Sequence, residues 1–203
     1  MMRSTQRSLH GFVIAGLCFF VNLASANDAL WQALKKGEHV LLMRHAETVP
    51  GIGDPLGFNL NDCATQRNLS DAGRAQARAW GASFVANGVA VGGVFSSRWC
   101  RCMDTARLAF GRIDTWPALN SHFDSPQFAA LQAEQVNGGI AVRMQKNKVL
   151  VLVTHQVNIS AIAGVTLGMG EAVVLKVTAL KNPNALNGRT NDTLSVVGTL
   201  KVK

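Results

Sequence analysis

Three short runs dense in Val, Leu and Ile stand out along the chain, at His39 to His45, Gly92 to Ser97 and Val149 to His155. Each is bounded by Gly or polar residues, the pattern of a strand buried on both faces. Between them the apolar positions change to helical spacing. Ser70 to Asn87 opens on a Ser cap, Arg98 to Phe110 closes at Gly111, and a weaker stretch covers Ser125 to about Gln135. Asn27 to Lys36 reads as a short leading helix and Asn158 to Thr166 as a short one after the third strand. Two further strands, Ala172 to Val177 and Leu194 to Leu200, flank the polar loop Lys181 to Asp192. Strands alternating with helices predict an α/β three-layer sandwich with a mostly parallel central sheet.

That architecture gives the strand ends a meaning. In open sheets of this kind ligands collect at the carboxyl ends of the strands. The three apolar runs end at Arg44-His45, Ser96-Ser97 and Thr154-His155, so reactive side chains stand where a site is expected. Val49 to Asn68, rich in Gly, Pro, Asn and Asp, is a long loop leaving the first strand, and loops of that length are often functional. No internal repeat or low-complexity segment interrupts the pattern.

The first residues follow a different rule. Arg3 and Arg7 precede an apolar stretch from Gly11 to Leu23 and the small-residue pattern Ala24-Ser25-Ala26, which predicts a signal peptide over residues 1–26, cleaved near Ala26. The rival, an uncleaved anchor, has an apolar run shorter than the roughly 20 residues a spanning helix needs. A lipoprotein site fits poorly, because bulky Leu17 precedes Cys18. Residues 27–203 then form one domain with enough chain for one buried core. They are expected to be periplasmic or secreted, with no stable membrane span after cleavage.

Charge and cysteines refine this picture. Net charge falls from +8 to +6 when Arg3 and Arg7 leave, and the excess is scattered, favouring anionic ligands without forming a nucleic-acid surface. Tyr is absent and no aromatic alternates with basic residues, so a single-strand groove is not expected. Cys63, Cys100 and Cys102 remain. On a helix, Cys100 and Cys102 point to nearly opposite faces, so Cys63 is expected to pair with one of them, Cys100 being favoured. Three reduced, buried thiols are the alternative. No His stands at ligand spacing from Cys-x-Cys, which argues against zinc.

Transfer of a phosphoryl group spreads negative charge over three oxygens and needs fixed donors around them plus an in-line nucleophile. Arg44 and His45 at one strand end, Arg101 in the first turn of the following helix and His155 at another end supply two His and two Arg. A neutral imidazole can attack through one nitrogen while the other donates to a carbonyl, and no metal or other cofactor is required.

Four segments in order resemble the histidine phosphatase superfamily. Arg44-His45-Ala46-Glu47-Thr48 is similar to its Arg-His-Gly-Glu-Ser/Thr signature. Leu69-Ser70-Asp71-Ala72-Gly73-Arg74-Ala75-Gln76-Ala77 is similar to its Leu-Thr-x-x-Gly-x-x-Gln-Ala helix start. Ser97 to Ala106 matches Ser-x-x-x-Arg-Ala-x-x-Thr-Ala, with Cys102 in place of Ala, and Leu152-Val153-Thr154-His155 resembles the strand carrying the second catalytic His. The resemblance implies a phosphoglycerate-mutase-like fold, His45 as the nucleophile that becomes phosphorylated, and Arg44, Arg101 and His155 as its phosphate pocket. Thr48 and Arg67 are implied as further contacts.

The general acid departs from the family pattern. In the mutase branch it is a Glu in the segment after the Thr-Ala helix, where the only carboxylate within Leu119 to Ser125 is Asp124. Glu47 is the runner-up, and Gln156 stands where the phytase-like branch has Asp. Asp124 also reads as a helix cap or first-turn charge. His39 and His122 have no matching context and read as structural.

Export excludes a mutase that needs cytoplasmic substrate and a bisphosphate primer. A signal on so compact a chain is similar to the branch with periplasmic lipopolysaccharide core heptose-phosphate phosphatases, which implies a small phosphorylated partner such as a cell-envelope glycolipid sugar. A catalytically weak or inactive phosphate-ligand binder on the same fold is the alternative. Specificity is expected from Val49 to Asn68 and from Trp116 to Gln135, and nothing in the sequence sets an oligomeric state.

Overall fold

Every residue of Val149–Thr154 is buried, and four successive residues of His39–Arg44 are buried with it, so both runs lie between layers. In the computed structural model, which describes residues 23–180 and 191–202, they form the centre of a six-stranded sheet. The strands are β1 (His39–Arg44), β2 (Val91–Ser96), β3 (Asp114–Thr115), β4 (Val149–Thr154), β5 (Ala172–Leu180) and β6 (Asn191–Leu200), in the order β3-β2-β4-β1-β5-β6. Pairs β3·β2, β2·β4 and β4·β1 are parallel, and β1·β5 and β5·β6 are antiparallel.

Alternation along β1 divides the core. Leu41 and Met43 face a cluster with Leu30, Trp31 and Leu34 of α1 (Leu23–Lys35), Trp80 and Phe84 of α2 (Asp71–Ala86), and Cys102 and Ala106 of α3 (Cys100–Phe110). Val40 and Leu42 face a second cluster with Val136 and Ile140 of α4 (Ala129–Ile140) and Ile159 of α5 (Gln156–Ala163). Three helices on one face and two on the other make the three-layer α/β sandwich that the sequence pattern predicts. Each fully buried Leu, Ile, Val or Met contributes about 1.5–3 kcal/mol of transfer free energy.

Helix ends follow local chemistry. Ser70 caps α2 by accepting the Gly73 N–H, and Gly111 ends α3 in the left-handed conformation with φ 75°. Several boundaries differ from the sequence expectation. Helix α4 starts later, because Pro126 opens a 3-10 turn over Pro126–Phe128, and ends later, because Gly139 lies under the Trp116 ring where a Cβ would clash. Helix α5 begins at Gln156 and stops at Gly164, and both closing strands are longer than expected. The two-residue strand β3 was not expected. Helix α1 is described from Leu23, upstream of the expected cleavage point. The rest of the expected signal peptide, residues 1–22, lies outside the described residues, as does most of the polar loop, residues 181–190. Among the described residues no helix is long and apolar enough to cross a membrane.

Candidate active site

Strands β1, β4 and β2 run parallel and end side by side, and backbone bonds continue past the last ladder residues. His45 N–H donates to Thr154 O at 3.0 Å and Ser97 N–H to Val153 O at 3.0 Å. Ring centroids of His45 and His155 are thereby 5.5 Å apart. Both imidazoles are almost fully buried.

The chemistry of His45 follows from one contact. Its Nδ1 lies 2.9 Å from the Ala46 carbonyl, which only accepts, so Nδ1 carries the proton. Burial pushes the His45 pKa down to about 3; the Ala46 carbonyl opposes this, and the charges of Arg101, Arg44 and Arg67 add to it. The ring is therefore neutral at ordinary pH, with its lone pair on Nε2. His155 is also shifted well below the usual imidazole range, chiefly by burial and then by His45 and the arginines. Its Nε2 is 2.9 Å from Ser97 Oγ and 3.4 Å from Cys102 Sγ, and Trp99 packs edge-on against the ring. Burial raises the Cys102 thiol to about 12, so it stays protonated.

Three guanidinium groups surround these rings. Arg44 donates to Leu167 O at 2.7 Å from Nη1, and its Nε is buried without a protein acceptor among the described residues. Arg101 donates from Nη1 to Asp54 Oδ1 at 2.7 Å, and its Nε is likewise buried and unpartnered. Arg67 donates from Nε to Gly53 O at 2.7 Å and from Nη1 to Thr48 Oγ1. Buried donors lacking acceptors are costly unless a ligand meets them.

Asp54 ties the pocket together, and sequence reasoning missed it. Oδ1 accepts from Arg101 and from the Arg67 N–H at 2.9 Å, and Oδ2 accepts from Trp99 Nε1 at 2.9 Å. Burial works against ionisation of Asp54, but these bonds and the Arg101 charge outweigh it and hold the carboxyl below its usual pKa. A lone Asp in a Gly- and Pro-rich loop carries no periodic signal; only the length of Val49 to Asn68 marked the region.

The motif residues of α2 have supporting positions. Gly73 packs against the Glu47 backbone so closely that a Cβ would overlap the Glu47 carbonyl oxygen. Gln76 accepts the Glu47 N–H at 3.1 Å and donates to Met169 O at 3.0 Å. Thr105 Oγ1 accepts from Ala46 N–H at 3.0 Å and donates to Arg101 O at 2.7 Å. Together they fix the turn that follows His45. Cys63 and Cys100 form a disulfide with Cα atoms 5.7 Å apart, which fastens the Val49 to Asn68 loop to the start of the helix carrying Arg101.

Of the sequence-derived candidates, Arg44, His45, Arg67, Arg101 and His155 converge, with Thr48 bonded to Arg67. The two carboxylates do not join them: Asp124 is exposed and makes no hydrogen bond among the described residues, while Glu47 accepts from Ser70 Oγ at 2.9 Å beside the α2 cap. His122, read as structural, is buried near His155. His39 bonds the Gly37 carbonyl at 2.7 Å, away from these groups. Among the described residues no group of three or more His, Cys, Asp or Glu is arranged to hold a metal ion.

Residues 40–124 match the sequence model of the histidine phosphatase superfamily, branch 1. No curated protein matches the chain. Solved structures share its fold. A mycobacterial hydrolase aligns with TM-score 0.58 at 14% identity over 82% of this chain and 92% of its own. A putative alpha-ribazole-5'-P phosphatase from Escherichia coli aligns with TM-score 0.54 at 16% identity over 82% and 98%. A mycobacterial glucosyl-3-phosphoglycerate phosphatase, solved with VO3, aligns with TM-score 0.53 at 16% identity over 79% and 98%. The match over residues 40–124, the shared fold and the paired histidines among arginines at the parallel strand ends are the features in which this chain is similar to the histidine phosphatase superfamily.

Proposed function

We propose that the chain is a metal-independent phosphomonoesterase in which His45 Nε2 attacks phosphorus and carries the phosphoryl group before water removes it. The observation that carries this reading is the neutral His45 ring with Nδ1 committed to Ala46 O, which leaves the Nε2 lone pair among three guanidinium groups. The buried Nε atoms of Arg44 and Arg101 suit the oxygens of a phosphoryl group, and Arg67, braced by Thr48 Oγ1, adds a further donor. His155 acts as a neutral donor: the single Ser97 hydroxyl proton goes to His155 Nε2 at 2.9 Å in preference to Asn120 Oδ1 at 3.4 Å, which leaves Nδ1–H for a phosphoryl oxygen. Donors set before reaction around developing charge are worth several kcal/mol each in catalysis.

The enzyme is proposed to act outside the cytoplasm after cleavage near Ala26. Arg3, Arg7 and the apolar run support export, and a Cys63–Cys100 disulfide suits an oxidising compartment. As substrate we propose a cell-envelope phospho-sugar, such as a lipopolysaccharide core heptose phosphate. Both segments expected to set specificity carry exposed apolar side chains, Ile52 and Leu56 in one and Phe123 and Phe128 in the other, as befits an amphiphilic partner.

The protein and its His45→Ala variant, assayed on p-nitrophenyl phosphate and a panel of sugar phosphates with and without chelator, test the reaction. Turnover that resists chelation and is lost in the variant is expected. Vanadate-dependent thermal stabilisation without turnover on any substrate would favour an inactive phosphate binder. Amino-terminal sequencing of the periplasmic protein tests cleavage near Ala26.

A further inference from the structure

Phosphoryl transfer from an alkyl ester needs a proton for the departing oxygen, and both carboxylates expected from the sequence stand apart from the pocket. The segment leaving β3 passes over the ends of β2 and β4 and is fastened there. Thr154 Oγ1 donates to Leu119 O at 2.6 Å, Asn158 Nδ2 to Asn120 O at 2.8 Å, and Arg98 N–H to Asn120 Oδ1 at 2.9 Å. Two residues on, His122 is 6% exposed.

The orientation of its ring is set by a relay. Gln132 on α4 donates from Nε2 to Asn120 O at 3.2 Å, which turns its amide oxygen toward His122 Nδ1, 2.9 Å away. Since that oxygen only accepts, Nδ1–H is the donor, and Nε2 has no protein partner among the described residues. A carbonyl holding one imidazole nitrogen while the other exchanges a proton is the arrangement of a general acid and base. The titratable group facing it is His155, at the end of β4; Asp124 on its own turn and Glu134 on α4 are exposed.

We propose that His122 is the proton donor and acceptor of the reaction, resting on the phosphatase reading above. As the His45 Nε2–P bond forms, the P–O bond breaks with its electron pair on the leaving oxygen, and His122, entering the step as imidazolium with protons on both nitrogens, passes the Nε2 proton to that oxygen to give the alcohol and remains neutral. In the second half neutral His122 Nε2 takes a proton from the attacking water. The P–N bond then breaks with its pair returning to His45, phosphate leaves, and His122 is protonated again.

The test compares leaving groups. His122→Asn keeps a donor for Gln132 and removes the exchanging nitrogen. With glycerol phosphate, whose alkoxide leaves poorly, kcat/KM is expected to fall about 100-fold or more, as for a lost general acid. With p-nitrophenyl phosphate, which needs no proton, the fall is expected to stay within a few-fold. Gln132→Leu, which frees the ring, is expected to give a weaker version of the same selective loss. Equal losses on both substrates, or the selective loss appearing in Asp124→Asn instead, would overturn the proposal. An unfolded variant is recognised by lost vanadate-dependent stabilisation, in which case Gln132→Leu decides. Absence of turnover by the unaltered protein on both esters would defeat the phosphatase reading itself.

Discussion

Removing the Asp54 carboxylate is expected to separate the stability of the pocket from its affinity for anions. The Asp54–Arg101 pair is 2.7 Å long with side chains 7% and 5% exposed. At an effective dielectric of about 20 the attraction at that distance is about 6 kcal/mol, before the cost of drying both charges. The larger consequence is what Asp54→Ala leaves behind. Arg101 loses its counter-ion beside Arg44 and Arg67, and Trp99 Nε1 and Arg67 N–H lose their acceptor. Breaking one side of a buried pair costs about 3–5 kcal/mol. For a chain of this size that corresponds to a fall in Tm of roughly 6–20 °C. Added phosphate is expected to recover part of the loss, because it supplies Arg101 with a negative partner and stabilises by mass action. The pocket also becomes more positive by one charge, so inhibition by phosphate should tighten while kcat falls with the misplaced guanidinium. Thermal melts with and without phosphate, read beside inhibition constants and kcat, test each part. An Asp54→Ala protein that melts within about 2 °C of the parent, where the pair predicts the shift above, and keeps its kcat would refute the claim that this carboxylate orients Arg101.

Gly73→Ala places a Cβ against the Glu47 carbonyl and is expected to cost about 1–3 kcal/mol and to lower kcat by displacing the turn after His45; an unchanged melt and unchanged kcat would contradict the close approach. Reducing the Cys63–Cys100 bond releases a loop with a sequence separation of 37, worth about 4 kcal/mol by chain entropy, so urea midpoints with and without reductant should differ clearly. His45 binds a proton near pH 6.5 when unfolded but only near about 3 when folded. Between those values the unfolded state holds more protons, so this contribution is complete above pH 6.5 and is lost as pH falls toward 3. Comparing urea unfolding at pH 7 and pH 4.5, the acid-induced loss should be smaller in His45→Asn by about 2–3 kcal/mol, and an equal loss would show that His45 is not buried neutral.

How much of this was legible depended on whether a residue's surroundings leave a local trace. Strands β1 and β4 were readable because burial on both faces demands consecutive apolar residues, whereas β2, expected to be buried on both faces, alternates between buried and half-buried positions. Helix α3 was readable because Gly111 supplies its left-handed end. The α2 motif was also legible, and the structure gives its physical reason: Ser70 caps, Gly73 admits the Glu47 backbone, and Gln76 holds that backbone in place. Helix α4 runs past the expected end near Gln135 and through Gly138-Gly139, where Gly139 makes room for Trp116, a partner more than twenty positions away.

The site residues that escaped share one property: what they bind is set by the fold and not by spacing. Asp54 meets Arg101 where its loop, held by the Cys63–Cys100 disulfide and by the Arg67 N–H, lies back against α3. His122 meets Gln132 across the 3-10 turn Pro126–Phe128 that precedes α4, a contact between residues ten positions apart. Motif matching therefore favoured a carboxylate by residue type and settled on Asp124, although two positions earlier stood an imidazole. His122 Nδ1 is committed to Gln132 and its Nε2 has no protein partner among the described residues, which suits proton exchange, whereas at His45 the same commitment of Nδ1 leaves a neutral ring with a lone pair for attack.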